Sequence, residues 1–418
     1  MKIKHQLELR SRAWLATVLL GLTAAANPAP AGSIKSVGVM TFIDANTLVI
    51  ADWRAGEIHA LHLAPVSQAA TKPFNLKNIS APVAKALHTR PDGLRIEDMV
   101  LRPGAELAYL SVSVEHGTGL PQPALLTVDA AGEVKVLNLA KISQTSATIK
   151  DRPATGKNLW RDVPEATLTV TDMAYANGKL YVAGLADATF ASTLRVYDFP
   201  FTGAATATSI EMYHAVHDET ETRAPIRKLT VATLNGEPSL VAAYTCTPLV
   251  TIPIKDLHDG AHIVGKTISE LGWGSAPVDM VTFDAGQEPM ILLINSHKSA
   301  DLMTVASIAG ASLRPGITTP IKWPNEPYLG LRSTPIPMAG VTQLSDQDKD
   351  YLCALRRNAA TGDLELVSVR KGAFLRLSDF VNEFDFADYD YAHDSWSEVH
   401  KTLRIDEGYP DLARRINR

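Results

Sequence analysis

Cysteine is nearly absent: the 418-residue chain holds only Cys246 and Cys353. Covalent haem needs a Cys-x-x-Cys-His run, and the chain has none. It also lacks a Gly-x-Ser-x-Gly elbow and a His-Glu-x-x-His pair, so the standard serine-nucleophile and zinc-protease chemistries are missing their parts. Charge is sparse too. Asp, Glu, Lys and Arg make up 20% of the residues, the net charge is −5, and no basic run follows the N-terminal segment. A nucleic-acid partner would require a basic patch or stripe, so that class is set aside. Beyond the N-terminus no apolar run approaches the roughly 20 residues that a bilayer-crossing helix needs.

What the chain does contain begins with a segment of distinct character. Residues 1–31 open with Lys2, Lys4, Arg10 and Arg12, run apolar over 13–26, and end on small residues around Ala29 and Ala31. This is the three-part pattern of a secretory signal, and its apolar run is too short to span a membrane. The expectation is a periplasmic or secreted protein with no membrane span after signal removal. Export would permit a disulfide. The repeat described next sets Cys246 and Cys353 two units apart, and a bridge needs Cα atoms within about 7 Å, which argues against their pairing.

The repeat is clearest at 170–199, which reads as an apolar run, a turn at Asn177-Gly178, a second run, a polar loop and a third run. Asn-Gly between alternating apolar stretches is a strong hairpin signal, because both central residues of a type I′ turn need positive φ. The opening step, apolar-x-Asp-Met-apolar, recurs at 96–100 and 277–281, with weaker copies at 37–41, 226–230 and 339–342. Aligned on its Asp, the column reads Val39, Asp98, Asp172, Lys228, Asp279 and Gly340. Many short strands at repeating intervals with Gly, Pro and Asn turns point to an all-β repeat fold, and a β-propeller closes such repetition with only short edges. Six blades are favoured. Seven remain an alternative, because the long gap between Asp98 and Asp172 has room for further strands.

The domain reading is a signal peptide at 1–31, a propeller over 32–378 and an acidic, aromatic C-terminal tail with a short helix over 379–418. Within the propeller, 74–76 is expected to complete the first unit, 302–307 to continue the fifth and 374–377 to close the sixth. The runs Asp-Met-Ala-Tyr-Ala-Asn-Gly-Lys-Leu-Tyr-Val (172–182) and Ile-Ala-Asp-x-x-x-Gly-x-Ile (50–58) resemble those of exported YVTN-type and quinoprotein amine dehydrogenase β-chain-like propellers. The resemblance covers most of 35–378, implies the fold, and carries over no catalytic residue.

In a propeller, the loops entering the inner strands and those joining the second and third strands open on one face. The alignment therefore gathers Trp53, His88, Trp160, Arg223, Trp273 and Arg332 there as candidate ligand or partner contacts, Trp and Arg being enriched at binding hot spots. Asp98, Asp172 and Asp279 join them if they line the channel mouth. The competing reading of these carboxylates is structural, each accepting backbone N–H bonds. His116, His214, His217, Cys246 and His297 are candidate metal ligands on the same face. In particular, 213–225 sets His214 and His217 three apart beside Asp218, Glu219 and Glu221. Imidazoles suit a borderline divalent cation, and a carboxylate can fix the tautomer of a ligating His. The alternative for this segment is an ordinary solvated loop; that for Cys246 is a small buried hydrophobe.

With no complete catalytic set, the expectation is an exported, non-catalytic propeller that binds a partner protein or small polar ligand on its loop face and requires no cofactor. The alternative is a metal-dependent or quinoprotein-like periplasmic enzyme that uses the His/Cys cluster with copper, zinc or calcium.

Overall fold

A computed structural model of the protein describes residues 34–371 except 67–71, 116, 118, 160–161, 247, 273, 287, 323–327 and 339. The signal at 1–31, the strand expected at 374–377 and the tail at 379–418 lie outside the described residues.

The 170–199 stretch folds as read. Asp172–Ala176, Lys179–Leu185 and Ser192–Asp198 pair antiparallel, and Asn177 and Gly178 take φ of 51° and 75° at the turn. A fourth strand, Thr206–His214, adds to the outer edge. The same plan recurs around Met40–Asp44, Leu94–Leu101, Lys228–Leu234, Pro277–Ala285 and Val341–Asp346. In its sheet each of these inner strands is flanked by two central strands and an outer one. For brevity each unit is named after its residue at the channel: Met40, Asp98, Asp172, Lys228, Asp279 and Gln343.

The central strands are short apolar runs buried on both faces, as in Thr47–Asp52, where every residue is buried. Such continuous runs are what sheets sandwiched between neighbouring sheets require. The inner strands pack in a closed circuit, Met40 to Asp172 to Lys228 to Asp279 to Gln343 to Asp98 and back to Met40. Four units are separate four-stranded sheets. The Asp172 and Lys228 units fuse into one larger sheet, because their outer strands Thr206–His214 and His262–Glu270 pair in parallel from Ser209↔His262 to Met212↔Gly265.

The chain does not visit the units in spatial order. After Glu57–His62 it places Asn75–Leu76 on the edge of the Gln343 unit, with Leu76 opposite Leu366. It then builds the Asp98 unit and returns at Ser143–Thr148 to complete the Met40 unit. The expectation that 74–76 completes the first unit is therefore wrong. Phe74 is buried in a core shared with Cys353, Leu355 and Leu366, which anchors this stretch to the last unit. Part of the long gap before Asp172 is accounted for by Ser143–Thr148. The expected continuation over 302–307 is also corrected. The strand ends at Thr304, whose side chain accepts the Ser307 N–H at 3.0 Å and caps the helix Val305–Ser312. A second helix, Ser80–Ala86, was not anticipated. Cys246 and Cys353 are both free thiols, in keeping with the spacing argument.

The aspartates of the template meet at the channel. Asp98 Oδ2 accepts the Met40 N–H at 2.6 Å, Asp172 Oδ2 the Leu229 N–H at 2.7 Å, and Asp279 Oδ2 the Leu344 N–H at 2.5 Å. Each carboxylate thus clasps the inner strand of the adjoining unit. Lys228 Nζ lies 3.5 Å from both Asp172 Oδ1 and Asp279 Oδ1. Gln343, with its amide nitrogen turned inward, reaches Asp98 Oδ1 and Asp279 Oδ2 at 3.2 Å each. Gln343 rather than Gly340 is thus the sixth unit's residue at this level. Gly340 instead takes φ 77° where a Cβ would sit 2.4 Å from the Arg357 carbonyl oxygen, a place only glycine fills without strain.

Three carboxylates and one ammonium share a buried space. Burial opposes the Lys228 charge, but Asp172, Asp279 and Asp98 outweigh it and hold its pKa above the ordinary value. Asp98 is pushed up to about 7, by burial first and by the other two carboxylates against the pull of Lys228. Removing the cation strands the buried anions, so Lys228→Met should cost about 3–5 kcal/mol in chemical denaturation at neutral pH. For Asp98 the folded state favours the protonated form. Its contribution to stability is full below the ordinary value of 3.8 and is lost as pH rises to about 7. Thermal melts of Asp98→Asn should lack this decline between about pH 4 and pH 7.

Candidate metal site

The strand Thr206–His214 alternates in burial, with Thr208, Ile210, Met212 and His214 facing inward. His214 therefore occupies a position the period-2 pattern reserves for an apolar side chain, and it is 2% exposed. The chain turns through Ala215 to Asp218, where Asp218 takes φ 54° and accepts the Tyr213 hydroxyl at 2.6 Å, and returns as Glu219–Glu221. Met212 pairs with Glu221 and His214 with Glu219. The segment read as a loop is thus a short hairpin, and it aims two imidazoles at one carboxylate.

His214 Nδ1 lies 3.3 Å and His217 Nδ1 2.7 Å from the same Glu221 Oε1, with the rings 4.0 Å apart at 46°. A carboxylate oxygen only accepts, so both Nδ1 atoms carry the proton, and in the neutral imidazoles this leaves both Nε2 lone pairs free. The bond from His214 outweighs burial and, with that from His217, pulls the Glu221 carboxyl down to about 2. Nε2 of His214 is buried and makes no hydrogen bond. Leaving such a group unmatched costs about 1–3 kcal/mol, so it marks a place where a partner belongs.

Cys246 comes from the neighbouring Lys228 unit, between Glu237–Ala243 and Pro248–Pro253. Its φ is 74°, its N–H donates to the Ser275 carbonyl at 2.8 Å, and its side chain is partly exposed. One ligand atom from each of His214, His217 and Cys246 falls within a mutual 4.8 Å. Zinc–nitrogen and zinc–sulfur bonds of about 2.0–2.3 Å place ligand atoms about 3.5 Å apart, so the set needs a contraction of about 1 Å. The exposed His217 and the partly exposed Cys246 are free to supply it.

His297 approaches this region without joining the set. Its N–H reaches Ser275 Oγ at 3.3 Å, and its ring is exposed and bonded to Ser296 Oγ at 2.6 Å. His116, Trp160 and Trp273 lie outside the described residues. Trp53 lies under the Arg54 guanidinium, 5.2 Å from the ring centroid, and Arg332 stacks on Tyr328 at 5.5 Å, between the short edge strands Leu329–Gly330 and Thr334–Ile336. Arg223 is exposed and paired with Glu165 at 2.5 Å, and His88 is exposed in a turn at φ 53°. Asp98, Asp172 and Asp279 are engaged in the clasps described above.

Glu270 escaped the sequence reading. It ends the strand His262–Glu270, is fully buried, and accepts the Ala215 N–H at 2.9 Å through Oε1, while Oε2 has no hydrogen-bond partner. Burial pushes its carboxyl up to about 8 against the Ala215 bond. The available signal was a lone carboxylate closing an otherwise half-buried strand.

No protein-family model matches the chain, nor does any curated protein sequence. Among solved structures, it is similar to a chain from the crystal structure of a mitotic checkpoint complex, at 8% identity and a TM-score of 0.29, covering 88% of this chain and 99% of that one. So distant a likeness adds nothing to the sheets and contacts already described.

The tautomer assignment is directly measurable. Nitrogen-15 imidazole shifts at neutral pH should report protonated Nδ1 and unprotonated Nε2 for both His214 and His217. Glu221→Ala should release His217, the more exposed ring, into the mixed tautomer pattern of free imidazole.

Proposed function

We propose that this protein is an exported, non-catalytic propeller of six four-stranded blades that binds a transition metal on its loop face, through His214, His217 and Cys246. The observation that carries the reading is the buried, unpartnered Nε2 of His214 beside a second imidazole and a thiol. Two imidazoles and a thiolate are borderline-to-soft donors, suited to zinc or copper, whereas calcium seeks oxygen ligands. Glu221 behind both rings is the outer partner that fixes their tautomer and raises their basicity. Export rests on the basic, apolar and small-residue pattern of residues 1–31. The six-blade count rests on the closed circuit of inner strands. A metal held at the face of a rigid scaffold gives the protein a point of attachment for a small polar ligand or a partner protein, the role expected from its loop residues.

Purified protein stripped with chelator and dialysed against zinc should retain about one equivalent by elemental analysis. Cys246→Ser and His217→Ala alter exposed or half-exposed positions and should abolish or sharply weaken retention with little change in fold. Glu221→Ala should weaken it about 10–100-fold. Wild-type protein that retains neither zinc nor copper would remove this reading.

A further inference from the structure

Resting on that metal reading, we infer that the site completes its coordination with an exogenous ligand: His214, His217 and Cys246 hold the ion and leave a fourth position open to a small monodentate donor such as an anion, an imidazole or a thiol. Among the described residues three protein donors gather here, and the nearby groups that would supply a fourth are committed elsewhere. Glu221 Oε1 is occupied by the two Nδ1–H groups on the far side of the rings from their lone pairs. Glu270 binds the Ala215 N–H and falls outside the set, and the His297 ring is held by Ser296. Among the described residues no other His, Cys, Asp or Glu brings a ligand atom within the 4.8 Å cluster.

The three donors also differ in exposure in a way that gives the open position a direction. His214 is buried at the floor, whereas the His217 side chain is 46% exposed and Cys246 is partly exposed, so the missing corner of the tetrahedron faces solvent. Closed four-ligand sites are the mark of structural zinc. Three protein ligands with one free position are the pattern in which the ion binds an outside molecule. Charge agrees. A divalent ion with the Cys246 thiolate carries +1, and the Glu221 carboxylate offsets it. The assembled site is then neutral and accepts a neutral donor without penalty and an anion at modest cost. Binding by the face and binding by the metal thereby become one event, with the ion as the contact point.

Cobalt(II) substitution tests this on the full chain. Cobalt-loaded protein should show a thiolate-to-metal absorption band together with visible ligand-field bands. Titration with azide or imidazole should then shift the ligand-field bands saturably while the thiolate band persists and cobalt stays bound. Cobalt-loaded protein whose ligand-field bands ignore both probes contains a fourth protein donor, and the inference is overturned while metal binding stands. Loss of cobalt to the probe also overturns it, since the ligand then competes for the ion instead of joining it. If cobalt, zinc and copper all fail to bind, the metal reading and this inference fall together.

Discussion

The structure depends on a carboxylate that reaches across to the next sheet. Sheets arranged around an axis bury both faces, yet their inner strands leave backbone N–H groups at the channel, where few partners are available. Asp98, Asp172 and Asp279 each meet that need for a neighbouring inner strand. Charge-assisted bonds of this kind are stronger than neutral ones, but they gather three acids in one buried space. Lys228 and Gln343 make the gathering tolerable, the first by opposite charge and the second by bridging two of the acids. The template Asp is therefore first a joint between units.

The candidate metal site depends on one of these joints. Its imidazoles come from the outer hairpin of the Asp172 unit and its thiol from a loop of the Lys228 unit. These two units are joined both by the Asp172–Leu229 clasp and by the parallel pairing of their outer strands. Groups supplied by separate units keep their spacing only if the units do not slide, and a continuous sheet prevents sliding. The Glu270 carboxyl strengthens the same seam by binding the turn next to His214.

Closure of the whole is achieved by crossing over. Asn75–Leu76 edges the last unit and Ser143–Thr148 edges the first, so strands from the earlier part of the chain tie together sheets that sequence order would leave unconnected. Neither placement could be read from periodicity. An outer strand of two residues has no detectable period, and Ser143–Thr148 is polar because it lies on an edge. The inner and central strands were legible for the opposite reason: alternating or continuous apolar runs with Asn-Gly and similar turns state both their period and their ends.

By itself the sequence determined that the chain repeats an antiparallel unit and which residue types lie near the loops, and its spacing argued against pairing of the two cysteines. These properties are local, set by side-chain alternation, turn conformation and spacing. Only the tertiary structure decided that the 213–225 segment is a hairpin, that His214 is buried with a free nitrogen, that Cys246 from another unit comes beside it, and that His297 does not. It also decided that the conspicuous aspartates hold strands together. Those outcomes turn on which sheets are neighbours and on how far each side chain is withdrawn from water, and no stretch of sequence contains either in itself.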